Sequence, residues 1–129
     1  MLKKDKGAFC NSEKIYVTSE TNLLKTLFSY GIDGHQENPN LTHSEVKVLS
    51  NIILNIRNLR TSNSAFDIAM VARGRYSGML NKSSKIWDNV AQQIIIEESG
   101  GKYTDYFGDE MNYSDPLSKV KQNFTFCAA

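Results

Sequence analysis

The chain has 129 residues, of which 40% are hydrophobic and 22% charged, with Lys plus Arg at 15 against Asp plus Glu at 14. So even a balance lacks the clustered base of a nucleic-acid surface, and no apolar run approaches the ~20 residues of a membrane span. The opening Met1-Leu2-Lys3-Lys4-Asp5-Lys6-Gly7 has no apolar segment of the kind a secretory signal needs.

The length predicts one domain, residues 1–129, large enough to bury roughly two-thirds of its unfolded surface. The two cysteines, Cys10 and Cys127, sit near opposite ends. A disulfide between them stays open as an alternative. Without an export signal or a cysteine framework, a reduced pair in a cytoplasmic setting is the expectation.

Taken in order, residues 1–7 read as charged and exposed. Asn11-Ser12-Glu13 reads as a turn, followed by a short β-branched and aromatic strand, Ile15-Tyr16-Val17-Thr18. Leu23 to Tyr30 is ambiguous. Leu23, Leu24, Leu27 and Phe28 fit a helical face, while Thr26, Phe28 and Tyr30 alternate as in a strand. A break follows from Gly31 to Asn40, with Gly34 and Pro39 inside it. Thr42-His43-Ser44-Glu45 has the form of a capping box, with Thr42 at N-cap and Glu45 at N3. Val46, Leu49, Ile53 and Ile56 then recur at helical spacing. Asn55 to Arg60 leads into a polar break, Thr61 to Ser64.

Ser64 to Arg73 is apolar on nearly all sides and predicts a buried helix closed by Gly74. Phe66, Met70 and Met79 are read as core. Arg75 to Leu80 is a short strand candidate, and Asn81 to Lys85 a polar loop. Asp88 to Ser99 predicts a helix whose face is Val90, Ala91, Ile94 and Ile95, ended by Gly100-Gly101. Lys102-Tyr103-Thr104 and Phe124-Thr125-Phe126-Cys127 read as strands. Tyr106 to Asp109 reads as a turn, with Asp105 engaged in its local bonding. Alternating helix and strand signals predict an α/β class, a layered mixed β-sheet flanked by helices. The chain meets a hairpin at once and stops on a strand, which would leave open sheet edges. That suggests a piece of a larger protein.

Asp88 concentrates the chemistry. As the acid at a predicted helix start it is a good N-cap and opposes the helix dipole. The same carboxylate, lying free at the mouth of a site, would hold a cation. Its neighbour Trp87, the only tryptophan, reads as core or pocket wall. Glu97 and Glu98 read as a solvated face. His35 and His43 are isolated, and a catalytic base needs a positioned partner.

Three segments together resemble one family. Trp87-Asp88, Ala91, Ile94, Ile95, Glu98 and Gly100-Gly101 closely resemble the Trp-Asp-x-Ala-x-Gly-x-x-Ile-x-x-Glu-Ala-Gly-Gly signature of the inositol monophosphatase-like family, with Ser99 for the usual Ala. Gly7-Ala8-Phe9-Cys10-Asn11 is similar to its Gly-Ala-Phe-x-Asn-Gly hairpin, with Ser12 for the last Gly. Arg60 through Gly74 is similar to its Arg-x-Gly-Ser-Ala-Ala-Leu-Asp-Leu-Ala-x-Val-Ala-x-Gly segment, keeping Asp67, Ala69, Val71, Ala72 and Gly74. The resemblance covers nearly the whole chain, but only the C-terminal half of a family member. It assigns residues 23–30 to a strand.

It also implies a function. Family members are Mg²⁺-dependent phosphomonoesterases acting on inositol phosphates, fructose 1,6-bisphosphate, histidinol phosphate or nucleotide 3′-phosphates. Asp88 matches the metal-ligating aspartate. Segment 62–65 and Asn81 match the substrate pocket, with Asn63, Ser64 and Asn81 as the residues lining it. Ser62 and Asn63 replace a Gly-Ser or Gly-Thr pair, and Asn81 replaces a Glu in inositol-specific members. The Asp-Pro-x-Asp-Gly-Thr segment that supplies most metal ligands is not in this sequence, and Asp115-Pro116 does not match it. The implied partners are therefore a small phosphorylated polyol or sugar, a separate N-terminal half and a second copy in a homodimer. No nucleic acid or membrane is implied. No catalytic residue is assigned within the chain, which alone is expected to be inactive. The alternative is a non-catalytic binding or scaffold protein derived from the same fold.

Overall fold

A computed structural model describes residues 5–129. Residues 1–4, part of the segment expected to be exposed, lie outside it. The elements are β1 (Ala8–Cys10), β2 (Glu13–Ile15), β3 (Leu27–Gly31), α1 (Pro39–Ile53), β4 (Asn58–Arg60), α2 (Ala65–Ala72), β5 (Gly78–Ser84), α3 (Ile86–Glu98), β6 (Tyr103–Thr104) and β7 (Phe124–Ala128), with short 3-10 turns at Leu23–Lys25 and Pro116–Lys119. β1 and β2 form an antiparallel hairpin whose tip, Asn11 and Ser12, takes positive φ at both positions. That is the turn geometry matching the twist of the flanking strands. The other strands form one mixed sheet in the order β4-β3-β5-β7-β6. β3 is parallel to β4 and β5, while β7 is antiparallel to β5 and β6.

The sheet has a helical layer on each face. Met79 of β5 and Phe126 and Ala128 of β7 join Ile68, Val71 and Ala72 of α2, Ile96 of α3 and Tyr103 in the main core. Leu80, one residue on, points to the other face, beside Val48 and Ile52 of α1. Tyr30 on that face donates its hydroxyl to the Glu45 carbonyl of α1 at 3.1 Å. The β1–β2 hairpin lies beyond α2 and α3. Glu98 ties the segment before it to α3, accepting the N–H groups of Asp5, Lys6 and Gly7 at 2.6, 3.1 and 2.7 Å.

The α/β expectation holds, and several local expectations are corrected. Residues 23–30 divide into a 3-10 turn at Leu23–Lys25 and a strand from Leu27, so the helical face fails, with Leu27 and Phe28 in the strand, and the strand expected over 23–30 begins only at Leu27. The first strand pairs as Glu13–Ile15, not Ile15 to Thr18, because the hairpin register ends at Ala8 opposite Ile15. α1 starts at Pro39 with Asn38 at its N-cap. Thr42 and Glu45 make no capping box; their side chains bond the preceding loop instead. Asn81 to Ser84 is strand rather than loop, since backbone pairing to β3 and β7 outweighs its polar side chains. β4 falls in the segment expected only to lead into a polar break, yet it pairs with β3.

Burial is more one-sided than expected. α2 buries Asp67, Ile68, Val71 and Ala72 but leaves Phe66 57% exposed. The buried side of α3 is Ile86, Asn89 and Ile96, while Val90 and Ile94 of the expected apolar face are exposed. Trp87 is also exposed and lines a cleft, so it is wall and not core. The final strand is not an open edge, because β7 sits between β5 and β6. Cys10 and Cys127 are free thiols.

Two neighbouring glycines end α3 for different reasons. Gly100 takes φ +84 after the helix, its N–H bonding Glu97 O at 3.0 Å while Gly101 N–H bonds Ile96 O at 2.9 Å. This is the paired bonding that satisfies the last helical carbonyls and favours a residue without Cβ. Gly101 is there for space: a Cβ would meet Ala129 O, Ile96 Cγ2 and Val17 Cγ1.

Candidate active site

In the parallel part of the sheet, the crossover from β3 to β4 passes through α1 on one face. The crossover from β4 to β5 passes through α2 on the other. Where consecutive connections leave on opposite faces, a crevice opens beyond the carboxyl ends of the strands. Loop 32–38 and loop 61–64 flank that crevice here. Asp33 follows β3, Asn63 and Ser64 precede α2, Asn81 and Ser83 stand on β5, and Asp88 with Gln92 comes from α3. All of them line one cavity of about 280 Å³.

The structure thus brings Asp88, Asn63, Ser64 and Asn81, the four residues singled out in the sequence, to one place. Ser64 caps α2, its Oγ accepting Phe66 N–H at 3.3 Å. Asn63 has φ 50, a left-handed conformation that Asn tolerates better than most residues other than glycine. In the family pattern the glycine of this pair falls on Ser62 and the Ser or Thr on Asn63, so the left-handed residue here is the second of the pair. Buried Asp67 secures the loop by accepting Ser62 N–H at 3.1 Å. Asn81 Nδ2 donates to Asn63 Oδ1 at 2.6 Å, and Asn63 Nδ2 donates to Asp33 Oδ1 at 3.0 Å. Ser83 closes the chain, its N–H bonding Asn81 Oδ1 at 2.8 Å and its hydroxyl bonding Asp33 Oδ2. The two amides can meet because Gly31 beneath them has no side chain; a Cβ there would collide with both.

Asp33 and Ser83 were not found from sequence. Asp33 lies in a Gly/Pro-rich break with no periodicity to mark it, and Ser83 was read as loop. The loop carrying Asp33 is anchored by the residues mistaken for a capping box. Thr42 Oγ1 accepts from His35 N–H at 2.8 Å and donates to Asp33 O at 3.1 Å, and Glu45 Oε2 accepts Asp33 N–H at 3.2 Å. His35, expected to be isolated, has Glu45 as partner, with Nε2 3.1 Å from Oε1.

Asp88 is the third residue of α3, and the N-cap is Lys85, which makes no side-chain cap bond. Among the described residues the Asp88 carboxylate accepts no hydrogen bond. It is exposed, and it lines both the crevice and a second cleft of about 400 Å³ between the hairpin, α2 and α3. Its reading as a cap is therefore corrected: the helix start orients it but does not use it. A free carboxylate is a suitable hard ligand for Mg²⁺, which takes oxygen donors and keeps several waters. Among the described residues no three His, Cys, Asp or Glu side chains converge as a metal group. The residues fit one corner of a Mg²⁺ site and not a complete one. A larger cleft, about 470 Å³, lies between residues 105–112 and 119–125 and includes none of the four.

Behind Asp88, α3 is pinned to the sheet. Tyr103 of β6 donates its hydroxyl to Asn89 Oδ1 at 3.1 Å and Gln92 Oε1 at 3.2 Å. Burial, then Tyr113 and Asp88, holds the Tyr103 phenol well above the ordinary tyrosine range. On the opposite face, burial followed by Glu45 and Tyr106 pushes Tyr30 up to about 12.

Comparison with known proteins agrees with this geometry. A family model described as the inositol monophosphatase family matches residues 2–125. Inositol monophosphatase 1 of Mus musculus is 30% identical over 109 residues, 82% of this chain and 39% of the relative. The Nus factor SuhB of Xylella fastidiosa is 29% identical over 103 residues, 79% of this chain and 37% of the relative. The solved structure of inositol monophosphatase from Anabaena superposes with a TM-score of 0.77 at 28% identity, covering 97% of this chain and 46% of that one. The chain thus spans under half the length of these relatives. By its sequence match and its fold together, the chain belongs to the inositol monophosphatase family.

Proposed function

We propose that this chain is the C-terminal α/β part of a Mg²⁺-dependent phosphomonoesterase acting on inositol phosphate or a related sugar phosphate. One observation carries the reading: Asp88, Asn63, Ser64 and Asn81 line a single crevice. In it Asp88 serves as one Mg²⁺ ligand, and Asn63, Ser64 and Asn81 form part of the substrate wall. When bound, the metal polarises the phosphoryl group and lowers the pKa of a water. Asp88 contributes an unengaged carboxylate from a helix start. The amides contribute neutral donors and acceptors for hydroxyls. The remaining ligands come from an N-terminal half of the same protein, and the chain alone is inactive. The working unit is a cytoplasmic homodimer. No helix among the described residues is long and apolar enough to cross a membrane.

The test is the protein extended by its upstream coding sequence, assayed on a panel of sugar phosphates with and without Mg²⁺. Activity should require Mg²⁺ and be lost in Asp88→Asn. An active, extended protein that tolerates Asp88→Asn removes Asp88 from the metal site.

A second reading is a non-catalytic binding or scaffold protein of the same fold. It is favoured by the exposed apolar residues Phe9, Phe66, Trp87, Val90 and Ile94, and by relatives named as Nus factors. A native-state metal ligand raises the melting temperature by mass action. An extended protein with no phosphatase activity and no Mg²⁺-dependent rise in melting temperature would select this reading.

A further inference from the structure

We propose that Asp33 sets the selectivity of the crevice, favouring a singly phosphorylated polyol or amino sugar over a bisphosphate. The inference rests on the reading of the crevice as a substrate wall and adds to it the residue that chooses among substrates.

The geometry makes Asp33 a fixed charge. Its backbone is held by Glu45 and Thr42, and its carboxylate by Asn63 Nδ2 and Ser83 Oγ. Both donors to the carboxylate are neutral. Among the described residues no Lys or Arg pairs with Asp33, and no side chain lining the crevice is cationic. Among the described residues, nothing in this part of the wall compensates the negative charge. An ionised carboxylate has about four lone-pair positions, and these bonds occupy two. The others remain to accept from a ligand.

The neighbouring amides extend this preference. Asn81 is only 8% exposed, and its orientation is fixed by Asn63 and by Ser83 N–H. Each amide nitrogen retains a second N–H. The crevice end thus offers a charged acceptor beside neutral donors, the pattern that matches hydroxyls. An ammonium in place of one hydroxyl would gain a charge-assisted bond to Asp33. A second phosphate placed there would bring like charges together in a partly desolvated space, which rejects it.

The test uses the extended protein described above with glucose 6-phosphate, glucosamine 6-phosphate and fructose 1,6-bisphosphate as probes. Wild type, Asp33→Asn and Asp33→Ser are compared by kcat/KM. Calorimetric affinities for the same probes are taken without metal. Losing one charge contact should shift selectivity about tenfold, equivalent to about 1.4 kcal/mol. Both variants should raise the bisphosphate-to-glucose-phosphate ratio and lower the glucosamine-to-glucose ratio. A ratio does not depend on the fraction of protein folded, so a destabilised variant still reports. Wild-type activity with both ratios unchanged in the variants overturns the role of Asp33 and leaves the phosphatase reading standing. No hydrolysis of any sugar phosphate by wild type overturns both.

Discussion

Tyr103→Phe isolates the contact that seats α3, and with it Asp88, on the sheet. The substitution keeps the ring, which stacks on Phe126 with centroids 4.8 Å apart and planes 17° from parallel. Only the hydroxyl is removed. That hydroxyl donates to Asn89 Oδ1 and Gln92 Oε1. Gln92 is half-buried and can turn to water, but Asn89 is fully buried and its Nδ2 already lacks a partner. Losing the phenol leaves the whole Asn89 amide unpaired among the described residues. An unsatisfied buried polar group costs ~1–3 kcal/mol. With an unfolding entropy of ~2.1 cal/mol/K per residue, a chain of 129 residues loses about 4–11 °C in melting temperature for that cost. The assay is thermal unfolding followed by near-ultraviolet circular dichroism, which also reports whether the aromatic packing survives. Asn89→Leu in the Tyr103→Phe background removes the stranded amide and should recover part of the loss. A Tyr103→Phe variant melting within a degree of wild type would refute the reasoning, since it would mean that water or a shift of α3 satisfies Asn89 at no cost.

Two further predictions follow from the same physical terms. Tyr30 and Tyr113 are raised to about 12, each by burial first, and Tyr103 lies higher still for the same leading cause. Unfolded phenols ionise near ~10, so the unfolded state releases these protons first. The stabilisation is intact below ~10 and is lost as pH climbs through about 12; phenolate absorbance should show a late phase that coincides with alkaline unfolding, and its absence refutes the burial argument. At Asn63, whose φ is 50, Ala should be less stable than Gly by ~1–2 kcal/mol, because a Cβ is strained there. Urea unfolding of Asn63→Ala and Asn63→Gly measures the difference; both variants lose the same amide bonds, so the reverse order would show that the left-handed backbone imposes no strain on a Cβ there.

How much of this was legible in the sequence depended on whether a residue's use was local. α2 and α3 were readable as helices because their apolar runs and the terminating glycines act within a few residues of one another, although Val90 and Ile94 of the face expected for α3 are exposed. Asp105 was readable for the same reason: its Oδ1 accepts Phe107 N–H and Asp109 N–H, both at 2.9 Å. β4 and the second half of β5 were not. Asn58-Leu59-Arg60 and Asn81-Lys82-Ser83-Ser84 have loop-like composition, and only distant strands make them strands. Thr42 and Glu45 show the opposite failure. Their spacing fits a cap, but the N-cap is Asn38, four residues before Thr42, and both side chains are left for the 33–35 loop. Asp88 stood out locally as an acid at a helix start, but Asn63, Ser64 and Asn81 came from family resemblance, which encodes long-range geometry that periodicity cannot supply. Asp33 departs from anything the resemblance marked, and nothing local distinguishes it from a loop aspartate.

The start of α3 shows why Asp88 is better understood as a site residue than as a structural one. The N-cap, Lys85, has an extended backbone and no side-chain cap bond. A positive side chain at that end is also repelled by the positive pole of the helix dipole, although Lys85 Nζ gains a bond to Lys121 O at 3.0 Å. The helix therefore leaves its N-terminal donors without a side-chain acceptor, while a carboxylate stands three residues away unused. If Asp88 were present for stability, it would be expected to accept one of those N–H groups. Lys85→Ser should supply the missing cap and stabilise the chain by ~0.5–2 kcal/mol. Asp88→Asn should change stability by no more than ~0.5 kcal/mol, the usual range for a surface position with no structural role. Chemical denaturation of both variants decides the matter. A large loss in Asp88→Asn, with no gain in Lys85→Ser, would return Asp88 to the helix as a cap. The expected pattern shows instead a helix that forgoes its own cap and holds a carboxylate out toward the crevice.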